Sequence, residues 1–357
     1  MTNSVETETI QNLKGKLPEE LAAEFKAMGQ AGYRGKQAFL RIYKHRATSI
    51  DDFTEFPKEL RDQLQHALPR LTLLERSQSA DTEKFMFDYS PADERKSKFR
   101  SFESVWIISK NRRTACISSQ SGCTLNCAFC ATGALPFAGN LEAWMIVDQV
   151  MELMQMRLNE PLTNVVFMGM GEPFHNYDNA IKAAHILSHP NGLALGAKRI
   201  TLSTAGVVPM IHRFIDEKQP FNLAISLNHP DPEKRSSIMD VNEKFPLATL
   251  IDAAKRFNRE LKRPVMFEYV MISDVNMSDT NLKQLIQICK QVNCKINLIP
   301  LNTSLRGFQR PDEQQAGEFQ ARLRQEGILA FNRGSPGLDI NGACGMLAFK
   351  HTKTDAN

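Results

Sequence analysis

Residues 114–133 read TACISSQSGCTLNCAFCATG, a short β-rich run that breaks into a cysteine loop. Cys123, Cys127 and Cys130 fall within eight positions, spaced C-x3-C-x2-C, with no fourth cysteine beside them. A structural zinc site ordinarily takes four ligands, often as two C-x2-C pairs. Three thiolates from one tight loop suit a cubane iron–sulfur cluster whose remaining iron has no protein ligand and can be chelated by a small molecule. A zinc site closed by Cys116 or a more distant cysteine is the competing reading.

Outward from this loop, strands and helices alternate. Strands are expected near 114–119, 163–168, 199–203, 221–226, 264–271 and 295–299, and helices at 142–156, 177–188, 207–216, 246–260, 279–291 and 312–326. Such alternation implies parallel strands joined by right-handed crossover helices. About six units are visible, two short of a closed eight-fold barrel. The expected fold is therefore α/β, a partial (β/α)6 barrel open on one side, with a doubly wound open sheet as the alternative. Upstream, LPEELAAEFKAMG, GKQAFLRIYKHR and PKELRDQLQHAL are short amphipathic helical units, too small for a core of their own. TEKFMFDY and SVWIIS then read as strands. The division expected is a small N-terminal helical domain over 1–80, a β-hairpin linker over 81–113, a barrel with its terminal cysteine loop over 114–345, and a polar tail over 346–357.

Composition is that of an ordinary globular chain: 357 residues, 42% hydrophobic, 24% charged, net charge +4. No apolar run reaches the ~20 residues of a membrane helix, and MTNSVETETI lacks the order of a signal peptide. A cytosolic protein is expected, without membrane partners and monomeric. Seven cysteines, unevenly spread, do not make a disulfide framework. Arg95, Lys96, Lys98 and Arg100, with Lys110, Arg112 and Arg113, form a basic strip that reads equally as a solvated hairpin face or a phosphate-contacting surface.

The C-x3-C-x2-C loop after a first barrel strand resembles the signature of the radical S-adenosylmethionine (SAM) superfamily. The resemblance implies one [4Fe–4S] cluster per chain, held by Cys123, Cys127 and Cys130, with SAM on the open iron. NVVFMGMGEP resembles the superfamily's G-E-P element, which makes Gly171 and Glu172 candidates for the SAM amino group. Further strand ends carry Ser203 (ITLSTAG), Ser226, Leu227 and Asn228 (LAISLNHP) and Asn302 (INLIPLN), a set able to converge on one ligand. The family often has His where Asn228 stands.

Together with LAISLNHPDPEKRSSIM, EYVMI and DINGACGML, these blocks resemble the radical-SAM RNA adenine methyltransferases, the RlmN and Cfr family, from about residue 30 to 347. That resemblance implies that Cys344 accepts a methyl group from a first SAM. A 5′-deoxyadenosyl radical from a second SAM removes a hydrogen from it, and the methylene radical adds to an adenine ring carbon. Cys116 then attacks the Cys344 sulfur, which releases product and leaves a disulfide. Glu103 matches the family's candidate base. On the residues alone, Cys116 and Cys344 read more readily as small buried hydrophobes, and Glu103 as an exposed strand position. The implied substrate is 23S ribosomal RNA, with transfer RNA as a further candidate, methylated at adenine C2, with Cfr-like methylation at C8 as the alternative. An electron donor such as flavodoxin or ferredoxin follows as a partner. Where the family commonly reads D-A-A-C-G-Q, this chain has Asn341, Gly342 and Met346. Cys289 and Cys294 match no motif and are assigned to the core.

Overall fold

The computed structural model describes residues 10–89, 101–158 and 160–348. The stretch holding Arg95, Lys96, Lys98 and Arg100 lies outside them.

The chain opens with α1 (Pro18–Ala27), α2 (Tyr33–Phe39) and α3 (Lys58–Gln63), with a π-turn over Leu40–Lys44 and a 3-10 turn over Ile50–Asp52 between them. Pro18 supplies the fixed φ that a first helical position favours, and the Glu20 carboxylate accepts from the Leu17 amide at 2.8 Å. Leu21, Phe25, Phe39, Phe53 and Phe56 are all buried. The helices are anchored to the rest by polar contacts as well: Lys14 pairs with the buried Asp148, which also accepts from the Leu71 amide, and Lys182 pairs with Glu20.

Strands β1 (Thr72–Gln78), β2 (Thr82–Asp88) and β3 (Phe102–Ser109) follow as an antiparallel run that continues into β4 (Arg112–Cys116). After β4 comes the cysteine loop, flanked by the two-residue strands β5 (Gln120–Ser121) and β6 (Gly139–Asn140). The barrel is then built from α4 (Ala143–Met156), β7 (Asn164–Phe167), α5 (Tyr177–Ser188), β8 (Ile200–Thr204), α6 (Val208–Asp216) and β9 (Asn222–Ser226). It continues through α7 (Pro232–Ile238), α8 (Val241–Lys244), α9 (Leu247–Leu261), β10 (Val265–Met271), α10 (Ser273–Asn276), α11 (Asp279–Gln291), β11 (Cys294–Pro300), α12 (Glu313–Gln325) and β12 (Ala330–Asn332). Ser278 and Asp312 cap α11 and α12, each accepting from the third helical amide.

Among the described residues the sheet runs β1-β2-β3-β4-β7-β8-β9-β10-β11-β12, parallel from β4 onward. The six expected β-to-α units are present, and a short seventh parallel strand, β12, extends them. The first strand ends at Cys116 rather than residue 119, because Ser118 and Ser119 leave the ladder to bind other backbone groups. Arg112 and Thr114 of β4 line one cavity with Phe331 of β12 and Arg333 just past that strand, so the parallel run is rolled into an incomplete barrel.

The strand patterns show what incompleteness does. On β7 and β8, Val165, Phe167, Ile200 and Leu202 face the helices and are fully buried, whereas Asn164, Val166, Thr201 and Ser203 point inward and keep contact with solvent. In a closed barrel, layers of branched side chains would fill that interior. Here it holds two open chambers.

Candidate active site

The upper chamber, at the C-terminal strand ends, has a volume of about 170 Å3 and is lined by Cys123, Cys127, Cys130, Gly171, Glu172, Ser203, Ser226, Asn228, Asn302 and Cys344. The cysteine loop is shaped by its backbone. Gly122 has φ +74°, and a Cβ there would fall 2.3 Å from the Pro136 carbonyl oxygen, so only glycine fits. The Cys130 amide donates to the Cys127 carbonyl, the Ala128 amide reaches the Ile238 carbonyl, and a 3-10 turn over Ala131–Ala134 follows. The three thiols pack against an apolar cluster of Leu125, Phe129, Ile238, Met239, Ile272 and Leu301.

Burial in this cluster pushes the Cys123 thiol up to about 12 and raises Cys127 and Cys130 as well. A cation spread over the three sulfurs reverses that preference, since a coordinated thiol is held as thiolate. Among the described residues no three His, Cys, Asp or Glu side chains converge as ligands of a single ion. Three thiols from one loop, lining one chamber with room beside them for a further ligand, fit the donor set of a cubane whose remaining iron is left open.

Gly171 (φ +95°) lets the chain pass within contact of Gln120, where a Cβ would lie 2.5 Å from the Gln120 Cβ. The next residue, Glu172, is buried; its Oε1 accepts from the Phe174 amide at 2.9 Å and its Oε2 from the Ala205 amide at 2.7 Å. Burial nevertheless moves its pKa to about 7, with the amide hydrogen bonds pulling the other way. It is an acid poised to ionise against a cationic ligand group.

The hydroxyls of Ser203 and Ser226 have no partner among the described residues and are free for a ligand. Leu227 is different: its side chain is fully buried away from the chamber, and its amide donates to the Glu268 carbonyl. Asn228 sits in the left-handed region (φ +55°), where its Oδ1 accepts from the Val270 amide at 2.9 Å and its Nδ2 meets the Met239 sulfur. Both ends of that amide are thus engaged. Its neighbour His229 is turned inward, bonded to the Val275 carbonyl and the Asp231 amide.

Asn302 is also engaged, with the carboxy-terminal loop. Its Nδ2 donates to the Cys344 carbonyl at 3.0 Å while its Oδ1 accepts from Arg310 and Ser335. The same loop is sewn to the cysteine loop by Ala131 N–H to the Gly345 carbonyl (2.7 Å) and Thr132 Oγ1 to the Leu347 carbonyl (2.6 Å). Cys344 lines the upper chamber on one side. On the other it shares a void of about 20 Å3 with Cys116, Met168, Arg333 and Leu347. Cys116 is buried and free, its thiol pushed up to about 12 by burial and then by the charge of Cys344, with Arg333 opposing.

Glu103 is not among the residues lining either space. It is buried on β3, with Oε1 paired to Lys84 at 2.8 Å and Oε2 making no hydrogen bond among the described residues. Burial raises its pKa; Lys84 pulls it down.

Two cationic residues escape sequence reasoning: Arg235 lies within LAISLNHPDPEKRSSIM but nothing in that block gives it a role, and Arg333 lies in none of the blocks. Arg235, fully buried on α7, donates to the carbonyls of Leu227, Ala205 and Ser226 and to Asn242, clasping the ends of β8 and β9 beneath the chamber. Desolvation lowers its pKa to about 10. Arg333 lies deep in the molecule yet is touched by solvent through the cavities around it, and Cys344, Glu268 and Cys116 favour its charge.

A fold of this topology, with a three-cysteine loop after the first parallel strand and a glutamate at the second, defines a radical-SAM enzyme, and residues 117–286 match the radical SAM superfamily model. Residues 11–68 match the ribosomal RNA large subunit methyltransferase N-terminal domain. A probable dual-specificity RNA methyltransferase RlmN of Leptospira biflexa is 49% identical over 98% of this chain and 99% of that protein. The RlmN of Syntrophotalea carbinolica is 36% identical over 99% and 93%. A crystal structure of a radical SAM methyltransferase from Sphaerobacter thermophilus superposes with a TM-score of 0.88 at 38% identity, covering 94% of this chain and 99% of that one. The chain belongs to the RlmN family of dual-specificity RNA methyltransferases.

Proposed function

We propose that this protein methylates C2 of an adenosine in 23S ribosomal RNA, and in transfer RNA, through a methyl group carried on Cys344. The observation that carries this reading is the placement of Cys344 between two spaces: the chamber of the three cluster cysteines and the void it shares with Cys116. A thiol used only for packing has no need of both. The cluster, when bound at Cys123, Cys127 and Cys130, supplies an electron to the sulfonium of SAM. Glu172 holds the cofactor's ammonium group, and Ser203 and Ser226 offer hydroxyls to its remaining polar edge. The apolar cluster around the cysteine loop excludes water. Cys116, kept as a thiol by burial until then, attacks the Cys344 sulfur and gives up its proton as the S–C bond to the product breaks, the electron pair of that bond leaving with the product's methyl carbon.

Glu103 would have to exchange Lys84 for substrate to serve as the base, and its buried, unbonded Oε2 supports a carboxylate kept for a proton. An adenine must be unstacked to reach the chamber mouth. The α1–α3 region and the exposed turn carrying Lys110 are the surfaces proposed for docking RNA, with a flavodoxin or ferredoxin as electron source. The test is nucleoside mass spectrometry of RNA from a strain lacking the gene. Expected is loss of 2-methyladenosine, restored by the intact gene and not by Cys344→Ala; restoration of 8-methyladenosine instead would overturn the C2 assignment.

A further inference from the structure

We infer that the lower chamber of the barrel is a second binding site, for a nucleoside phosphate. It lies at the N-terminal strand ends, opposite the cysteine loop, and its volume of about 480 Å3 falls in the range of small-molecule sites. Met168 and Glu268 form the partition, since both line the upper and the lower chamber.

The lining is not that of a packed barrel floor. Inward positions near the strand starts are Arg112 and Thr114 on β4, Asn164 on β7, Thr201 on β8, Asn222 on β9, and Lys295 and Asn297 on β11. Each of the three amides uses one end on the protein. Asn164 Oδ1 accepts from Thr163, Asn222 Nδ2 donates to the Lys198 carbonyl, and Asn297 Nδ2 donates to Glu268. Their other ends, one donor and two acceptors, have no partner among the described residues. Nor do Arg112 and Lys295 pair with an acid there. Arg333 adds a third cation, against the single carboxylate of Glu268.

Cations that a carboxylate does not neutralise call for an anion, and two of them on facing strands fit a phosphate. Mixed amide donors and acceptors suit the edge of a base. The Phe331 ring, 43% exposed at the rim, offers the stacking face that any base accepts. A free nucleotide and the phosphorylated end of an RNA share this chemistry.

The test uses full-length protein carrying its cluster and saturated with SAM, so that the upper chamber is filled, titrated calorimetrically with adenosine monophosphate and with pyrophosphate. Expected is binding of both, weakened roughly tenfold or more in the double variant R112A/K295A. F331A should weaken the nucleotide and spare pyrophosphate, and SAM affinity should be unchanged in all variants. A 5′-phosphorylated trinucleotide that binds as well as the mononucleotide identifies an RNA end as the source; exclusion of the trinucleotide identifies a free nucleotide. Absence of nucleotide binding at about 1 mM, or binding that R112A/K295A leaves intact, would overturn the assignment.

Discussion

Asn302 holds Cys344 by its backbone: the side-chain Nδ2 donates to the Cys344 carbonyl at 3.0 Å, while Arg310 and Ser335 fix the opposite end of the same amide. A residue that sequence pattern alone assigns to cofactor binding therefore positions the thiol.

Asn302→Ala removes that hold and leaves Arg310 and Ser335 without their acceptor. The loss of one such hydrogen-bond group, ~1–3 kcal/mol, corresponds to roughly tenfold or more in the rate of methyl loading onto Cys344. Intact-mass spectrometry of the loaded protein checks the rate. Iron content should be unchanged; a variant that loads at the wild-type rate would remove the positioning role.

Glu172 sets a pH dependence. Its folded-state pKa is raised to about 7, so the carboxylate that attracts an ammonium group forms as pH rises through that value. SAM affinity should therefore strengthen between about pH 6 and 8 and then level off. Glu172→Gln should bind weakly and with no such slope, as equilibrium dialysis of the anaerobic protein would reveal.

The cluster cysteines make a second, opposite dependence in protein stripped of iron. Burial raises the Cys123 pKa to about 12 and lifts Cys127 and Cys130, whereas unfolded thiols titrate near 9. The unfolded chain thus releases protons first. Stability contributed by the neutral thiols is present below about pH 9 and is lost as pH climbs toward 12. Thermal melts of stripped protein should fall between about pH 8.5 and 10.5 more steeply than those of a Cys123→Ser, Cys127→Ser, Cys130→Ser variant.

Arg235→Ala leaves three strand-end carbonyls and the Asn242 amide without their donor in a dry interior. A loss of ~3 kcal/mol or more is expected in denaturant unfolding. Arg235→Lys should recover only part, since an ammonium cannot span the ends of β8 and β9 as the guanidinium does.

Much of this architecture is legible in the sequence because it repeats. The helices expected at 177–188 and 279–291 are found at Tyr177–Ser188 and Asp279–Gln291, where apolar spacing marks both and Ser278 caps the second. The three-residue β12 is too short to show a period, and β1 is exposed along nearly its whole length, so no alternation betrays it. At the site, spacing alone groups the three cysteines, and the chamber gathers them with Gly171, Glu172, Ser203, Ser226 and Cys344. Leu227 stands apart because it follows the inward-facing Ser226, the last residue of β9, by one position and so faces the opposite side. Arg235 and Glu268 lie inside the resembling blocks and Arg333 outside them, yet spacing gives none of the three a role: what makes them matter is the carbonyls, thiols and chambers that converge on them only after folding.

The stitches from Ala131 to Gly345 and from Thr132 to Leu347 tie the segment proposed to hold the cluster to the one proposed to carry the methyl group. Damage to the first should set the second adrift, so a molecule stripped by oxygen would fall silent as a whole rather than accumulate a cargo it has no means to deliver.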